Sequence, residues 1–189
     1  SSFGYRRAEG ADKVHPTIDD VIRCAAESCR SFAAFSDAFF NFARRSGWLG
    51  WENWLTVEIA RRLNSRLVLP FFPYPATGEK LDLYVDAPVD LAVEVKINYI
   101  TDREARQNPR PMSGRVLADA EKIAGLADRT SKLLLVSTCF ESDRGRAAYA
   151  ACVALDLQTR FGQFQPQWHD CSCGSGYNLL LSLLARGCR

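Results

Sequence analysis

Residues 80–96 read KLDLYVDAPVDLAVEVK and contain two short runs in which apolar and polar side chains alternate. Alternation with a period of two is typical of a β-strand with one buried face. Only residues 86–90, which include Pro88, separate the two runs, so we expect an antiparallel hairpin centred on that proline. In such a hairpin the numbers of opposed residues add up to 176, which places Asp82 directly across from Glu94.

The polar face of this hairpin brings together two acids and one amine. Glu94 and Lys96 lie two residues apart on one strand, and Asp82 points to the same side from the other strand. Like charges directly opposed in a sheet are destabilising, so this face needs a nearby cation. Lys96 supplies part of that charge, and a divalent ion such as Mg²⁺, which prefers oxygen ligands, would supply more. The competing interpretation is a polar hairpin face exposed to water.

The segments around the hairpin predict an α/β sandwich with strands of mixed direction. In chain order we expect helices over 21–42 and 48–63, strands over 67–69, 81–85 and 91–97, a loop over 101–114, a helix over 115–127 and a strand over 132–138. Thr17 is the expected start signal of the first helix, and Asn64 is the expected stop signal of the second. Farther along, an Ala-rich run up to Leu157 predicts a further helix, and the segment after Tyr177 is either a strand or a short helix.

The helix over 48–63 contributes a third acid. Glu52 lies in line with Leu55 and Ile59, at spacings of three and four residues, on the apolar stripe of the helix. An acid on an inward-facing stripe is costly unless it meets a cation or a metal. Glu58 lies on a different side, near two arginines, and fits a water-exposed surface better. Glu52 is therefore the preferred candidate for a functional role.

The order of these residues resembles the motif of the PD-(D/E)xK nuclease superfamily. Glu52 lies on a helix, Asp82 on a later strand, and Glu94-Val95-Lys96 on the next strand. The resemblance implies a restriction-endonuclease-like fold with an α-β-β-β-α-β core, and the rest of the chain adds N-terminal helices and a C-terminal extension. The length of 189 residues predicts a single domain over 1–189, with a helical elaboration over 1–46, a nuclease-like core over 47–139 and an extension over 140–189.

The same resemblance implies a role for each of these residues. Asp82 and Glu94, together with the Val95 carbonyl, would bind Mg²⁺ or Mn²⁺, and Glu52 would act through water or at a second metal. Lys96 would position or help activate the attacking water and stabilise negative charge on the phosphorus oxygens. The implied activity is that of a hydrolase, a Mg²⁺-dependent nuclease that cleaves phosphodiester bonds, with DNA as the expected substrate in restriction, repair or recombination.

Overall composition limits the partners of the chain. Its 24 Lys and Arg against 22 Asp and Glu give a net charge of +2, so binding of nucleic acid requires local clustering of charge. The predicted loop after the hairpin carries arginines that are candidate substrate contacts: Arg103, Arg106, Arg110 and Arg115. No apolar run approaches the ~20 residues of a membrane span, so we expect no membrane partner. Seven irregularly spaced cysteines favour reduced thiols and a cytoplasmic location.

Several alternatives remain open at this point. A protein that kept the fold but lost catalysis would bind nucleic acid or act in an assembly, although the intact Asp82, Glu94 and Lys96 set favours an enzyme. RNA as a substrate and a homodimeric state are equally open. The segment His169-x-Cys171-x-Cys173 offers three potential zinc ligands, but it lacks the second pair typical of structural zinc sites.

Overall fold

The computed structural model describes residues 15–33, 51–73, 80–107, 110–126, 130–143, 146–160, 162, 164–174 and 176–187. These residues form five helices: α1 (Ile18–Ala33), α2 (Trp51–Leu63), α3 (Asp102–Gln107), α4 (Arg110–Ala124) and α5 (Arg146–Arg160). They also form six strands: β1 (Val68–Pro70), β2 (Leu83–Val85), β3 (Leu91–Ile100), β4 (Ser131–Phe140), β5 (Gln165–Asp170) and β6 (Tyr177–Ala185). None of these five helices combines the length and the apolar character that a membrane crossing needs.

All six strands belong to one mixed sheet with the order β1-β2-β3-β4-β6-β5. β3 and β4 are parallel, and every other neighbouring pair is antiparallel. Parallel strands need a crossover connection, and here α3 and α4 provide it between β3 and β4. The expected α/β architecture with mixed strand directions is therefore confirmed.

The hairpin register also agrees with the sequence prediction. Leu83 pairs with Val93 and Val85 pairs with Leu91, so the numbers of opposed residues add up to 176. The connecting segment contains a cis peptide bond between Ala87 and Pro88. β2 has three residues whereas β3 has ten, so β2 covers only the beginning of the β3 edge.

Hydrophobic clusters cover both faces of the sheet. On one face, α1 and α2 pack against the strands, with a core that includes Val21, Ala25, Leu55, Ile59, Val93 and Val95. On the other face, α4 and α5 do so, with a core that includes Val116, Ala120, Ile123, Leu134, Val136, Tyr149 and Val153. Because both faces are covered, β3 and β4 are buried along nearly their whole length.

The helix boundaries show where local signals decided the structure. α1 begins directly after Thr17, and the part of the predicted helix beyond residue 33 lies outside the described residues. α2 ends at Leu63, and Asn64 follows with a φ of 45°. Asparagine tolerates this left-handed conformation better than most residues, so it ends the helix as predicted.

The predicted loop over 101–114 is wrong, because helices α3 and α4 occupy most of it. Thr101 and Glu104 form a capping box: the Thr101 N–H donates to Glu104 Oε2 at 2.9 Å, and the Glu104 N–H donates to Thr101 Oγ1 at 3.2 Å. Pro111 lies in the first turn of α4, where a missing N–H costs nothing. The helix predicted over 115–127 thus begins five residues earlier, at Arg110.

The C-terminal part extends the sheet as well as adding a helix. The Ala-rich run forms α5, and the segment from Tyr177 is strand β6, which lies between β4 and β5. The sequence prediction missed β5, whose residues QPQWHD are partly exposed and include few apolar side chains. An edge strand of this composition has no strong alternation to detect.

We expect Thr17→Ala to lower the free energy of unfolding by about 1 kcal/mol, because an N-cap box is lost. Thr17 Oγ1 accepts from the Asp20 N–H at 3.1 Å, and the Thr17 N–H donates to Asp20 Oδ2 at 3.0 Å. The control is Thr159→Ala, since the exposed Thr159 hydroxyl only donates to the Leu155 carbonyl within α5. Urea unfolding measures both variants, and equal effects would contradict the capping role.

Candidate active site

The candidate site lies beside the N-terminal end of β2, beyond which the edge of β3 has no neighbouring strand. Asp82 immediately precedes β2, and the register places it opposite Glu94. Its carboxylate accepts a hydrogen bond from the Val95 N–H at 2.8 Å, in the position that a neighbouring strand would otherwise occupy. The N–H and C=O of one strand residue point to the same edge, so the Val95 carbonyl faces this gap too.

Glu52 reaches the same edge from α2. Its Oε1 accepts a weak hydrogen bond from the Ile97 N–H at 3.4 Å, two residues beyond Val95. Two carboxylates, those of Asp82 and Glu52, therefore satisfy successive N–H groups along the uncovered part of β3. This backbone edge brings acids from separate elements together.

Glu94 is a buried acid beneath α4. It is 5% exposed, and its Oε1 lies 2.8 Å from Lys122 Nζ of α4. At this distance the Lys122 ammonium group forms an ion pair with the ionised form of Glu94. The Lys122 amine also donates to the Lys80 carbonyl at 3.1 Å.

The pKa of Glu94 reflects this environment. Burial raises the pKa first, and the negative charge of Asp82 raises it further. Contact with Lys122 lowers the pKa only in part, and the result is a value of about 8. A single lysine therefore does not fully compensate this pair of acids, and a further cation would favour the ionised form of Glu94.

Lys96 lies between two acids from opposite helix layers. Its Nζ is 3.0 Å from Asp119 Oδ2 of α4 and 3.2 Å from Glu52 Oε1 of α2. Burial alone lowers the pKa of Lys96, but the hydrogen bond and charge of Asp119, together with Glu52, outweigh it and raise the pKa. Lys96 is consequently held as a cation in a fixed position. It can therefore stabilise negative charge and donate hydrogen bonds, but it is poorly suited to act as a base.

The structure thus brings Asp82, Glu94, Lys96 and Glu52 to one segment of β3. Glu58 is separate from them, since it pairs with Arg61 at 2.7 Å and with Arg62 at 2.9 Å on the surface of α2.

Sequence reasoning missed Asp119 and Lys122. Both flank the apolar stripe of α4, next to the buried Ala120 and Ile123. The sequence did contain a signal for them. An acid and a base lie three residues apart beside that stripe, on the helix that follows the E-x-K strand. Their partners Lys96 and Glu94 lie far away in the sequence, so only the packing of α4 on the sheet assigns them.

The arginine candidates lie on helices and not on a loop. Arg103 is in α3 and is exposed, whereas Arg106, Arg110 and Arg115 lie along α3 and α4 with side chains outside the described residues.

The three candidate zinc ligands of the C-terminal segment have different surroundings. His169 Nε2 is hydrogen-bonded with Ser182 Oγ at 3.1 Å, Cys171 is buried and Cys173 is exposed. Within the described ranges, no three His, Cys, Asp or Glu side chains form a ready metal cluster. At the β3 edge, two carboxylates and a backbone carbonyl would act instead, and Mg²⁺ commonly keeps several water ligands beside such a set.

The pKa of Glu94 predicts how stability depends on pH. The folded state keeps this proton up to about pH 8, whereas the unfolded chain releases it near 4.5. The contribution of Glu94 to stability is therefore complete below pH 4.5 and is lost as the pH rises to about 8, at up to about 1.4 kcal/mol per pH unit. Glu94→Gln should reduce this fall, measured by urea unfolding in EDTA at pH 5.5 to 8.

Glu58→Gln is the control for this experiment. The hydrogen bond with Arg61 lowers the pKa of Glu58, so this acid is ionised in both states across the range. Its substitution should leave the slope unchanged. If the free energy of unfolding falls with pH equally in the wild type and in Glu94→Gln, the raised pKa of Glu94 is wrong.

Comparisons with known proteins do not identify a relative of this chain. No protein-family model matches the chain, and neither a curated protein nor a solved structure does.

Proposed function

We propose that this protein is a metal-dependent nuclease of restriction-endonuclease-like fold that hydrolyses phosphodiester bonds, with DNA as its expected substrate. The observation that carries the proposal is the grouping of Asp82, Glu94 and Lys96 at the uncovered edge of β3. The order α2-β1-β2-β3-α3-α4-β4, with β4 parallel to β3, supports the α-β-β-β-α-β core that the resemblance implies, with α3 as an added short helix.

The donor set at this edge fits Mg²⁺ or Mn²⁺. Asp82, Glu94 and the Val95 carbonyl offer only oxygen, and the buried Glu94 Oε1 already has a cationic neighbour, Lys122 Nζ, at 2.8 Å. When bound, the metal supplies a Lewis acid and a water of lowered pKa. The raised pKa of Glu94 is the mark of a pair of acids that lacks a sufficient cation.

Lys96 supplies the positive charge for the reacting phosphate. Its amine is held by Glu52 and Asp119, so it needs no reorganisation when negative charge develops on the phosphorus oxygens. Because its pKa is raised, it donates hydrogen bonds and does not remove the proton of the attacking water. Glu52 and Asp119 act as positioning residues for this amine.

The basic residues of α3 and α4 are the proposed substrate contacts. α3 begins directly after β3, so Arg103 and its neighbours in sequence follow the strand that carries the acids. Positive side chains beside an acidic metal site are what a polyanion requires, because each phosphate contact releases counterions.

We expect Asp82→Asn to reduce metal-dependent cleavage ~1,000-fold or more, since a metal ligand is lost. The matched control is Asp86→Asn, an identical change at the exposed end of β2 that should leave cleavage unchanged. Purified protein would be assayed on plasmid, linear duplex, single-stranded DNA and RNA with Mg²⁺, Mn²⁺ or EDTA. Cleavage by Asp82→Asn at the wild-type rate would contradict the site, and wild-type protein that binds nucleic acid without cutting any substrate would be a binding protein.

We further expect the double variant Arg103→Ala/Arg110→Ala to bind duplex DNA with a weaker dependence on salt. Each phosphate contact that is lost lowers the slope of log affinity against log salt by about 0.9. The titration uses Ca²⁺ so that binding is measured without turnover. Arg23→Ala on α1, which packs on the opposite face of the sheet, is the control. An unchanged slope in the double variant would exclude these arginines as contacts.

A further inference from the structure

We propose that Lys122 is an internal counterion that a divalent metal displaces from Glu94, so that this lysine sets the metal affinity of the site. The inference rests on the proposed metal-dependent function and adds a residue that the sequence motif does not contain. Its starting observation is the contact of 2.8 Å between Lys122 Nζ and Glu94 Oε1.

The amine of Lys122 lies 2.8 Å from Glu94 Oε1, so a metal that bound this oxygen would have to share it with the ammonium group. Glu94 is 5% exposed, so little water is available to stabilise its negative charge. Two cations in contact with the same buried oxygen would repel each other strongly, because the charges are weakly screened there. Metal and Lys122 therefore compete for Glu94.

Lys122 is suited to leaving and returning. Its side chain is 30% exposed, which gives the amine a path to water, and its long stem is flexible. The carbonyl of Lys80, 3.1 Å from the amine, is a second acceptor that can keep the displaced lysine near the site. Without metal, the ion pair limits the destabilising effect of a buried acid beside Asp82.

Lys96 differs from Lys122 in this respect. Its amine contacts Asp119 and Glu52, whereas the amine of Lys122 contacts Glu94, so a metal bound to Glu94 would leave the Lys96 contacts in place. The two lysines thus divide the tasks: Lys96 is fixed and Lys122 is exchangeable.

The test is the affinity for Mn²⁺, measured by calorimetry without substrate, in the wild type, Lys122→Met and Lys80→Met. Lys122→Met should bind Mn²⁺ about tenfold more tightly, because the ammonium group that repels the metal is removed. A proton also competes with the metal for Glu94, and removal of the ammonium group strengthens the binding of both. The divalent ion carries twice the charge of the proton, so its binding is strengthened more. Lys80→Met removes the same charge from an exposed neighbour and should change the affinity little.

Thermal unfolding provides the second measurement. Metal-free Lys122→Met should melt below the wild type, and saturating Mn²⁺ should raise its melting temperature by more than that of the wild type. Lys122→Gln replaces the methionine variant if that variant does not fold.

The controls separate this inference from the proposed function. If the wild type does not bind Mn²⁺, or if Glu94→Gln binds Mn²⁺ as tightly as the wild type does, the metal site and the proposed function are both wrong. If Glu94→Gln abolishes Mn²⁺ binding but Lys122→Met and Lys122→Gln bind no more tightly than the wild type, Lys122 is a structural ion-pair partner and only this inference is overturned.

Discussion

The unequal length of two paired strands is the constraint on which the site depends. β2 pairs with three residues of β3 and then stops, whereas β3 continues for seven more. The N–H groups of Val95 and Ile97 therefore need other acceptors, because a buried backbone donor without a partner is costly. The carboxylates of Asp82 and Glu52 provide them, so the requirement that gathers acids at this edge comes from the backbone itself.

Once the acids are at this edge, the two helix layers supply the compensating charge. α4 contributes Lys122 to Glu94 and Asp119 to Lys96, and α2 contributes Glu52 from the other side of the sheet. Each helix is anchored on its own hydrophobic cluster, so the charged groups are held by packing that is independent of their mutual attraction. A site built in this way keeps its geometry when its charges change, as the proposed metal binding would require.

The sequence predicted the parts of this arrangement that depend on local pattern. Alternation and Pro88 sufficed for the hairpin register, and hence for the pairing of Asp82 with Glu94, because both strands belong to one short segment. The start of α3 was missed because prolines and arginines suggested a loop, whereas the Thr101 capping box decided the structure. Asp119 and Lys122 could not be assigned, since their roles arise only when α4 packs across β3.

The energetics of Glu94 favour a functional interpretation over a structural one. On the same face of the sheet, Ala92, Leu134 and Val136 show that apolar side chains fit beneath α4 and α5. Replacing a buried ion pair by apolar residues is often neutral or stabilising, so Glu94 and Lys122 are not needed to hold α4 in place. The second acid, Asp82, lies opposite Glu94, so it makes ionisation of Glu94 less favourable and raises the pKa of Glu94 to about 8. Strongly shifted pKa values of this kind are typical of functional sites. Stability alone gives no reason for this set of charges, whereas the proposed binding of a divalent cation does.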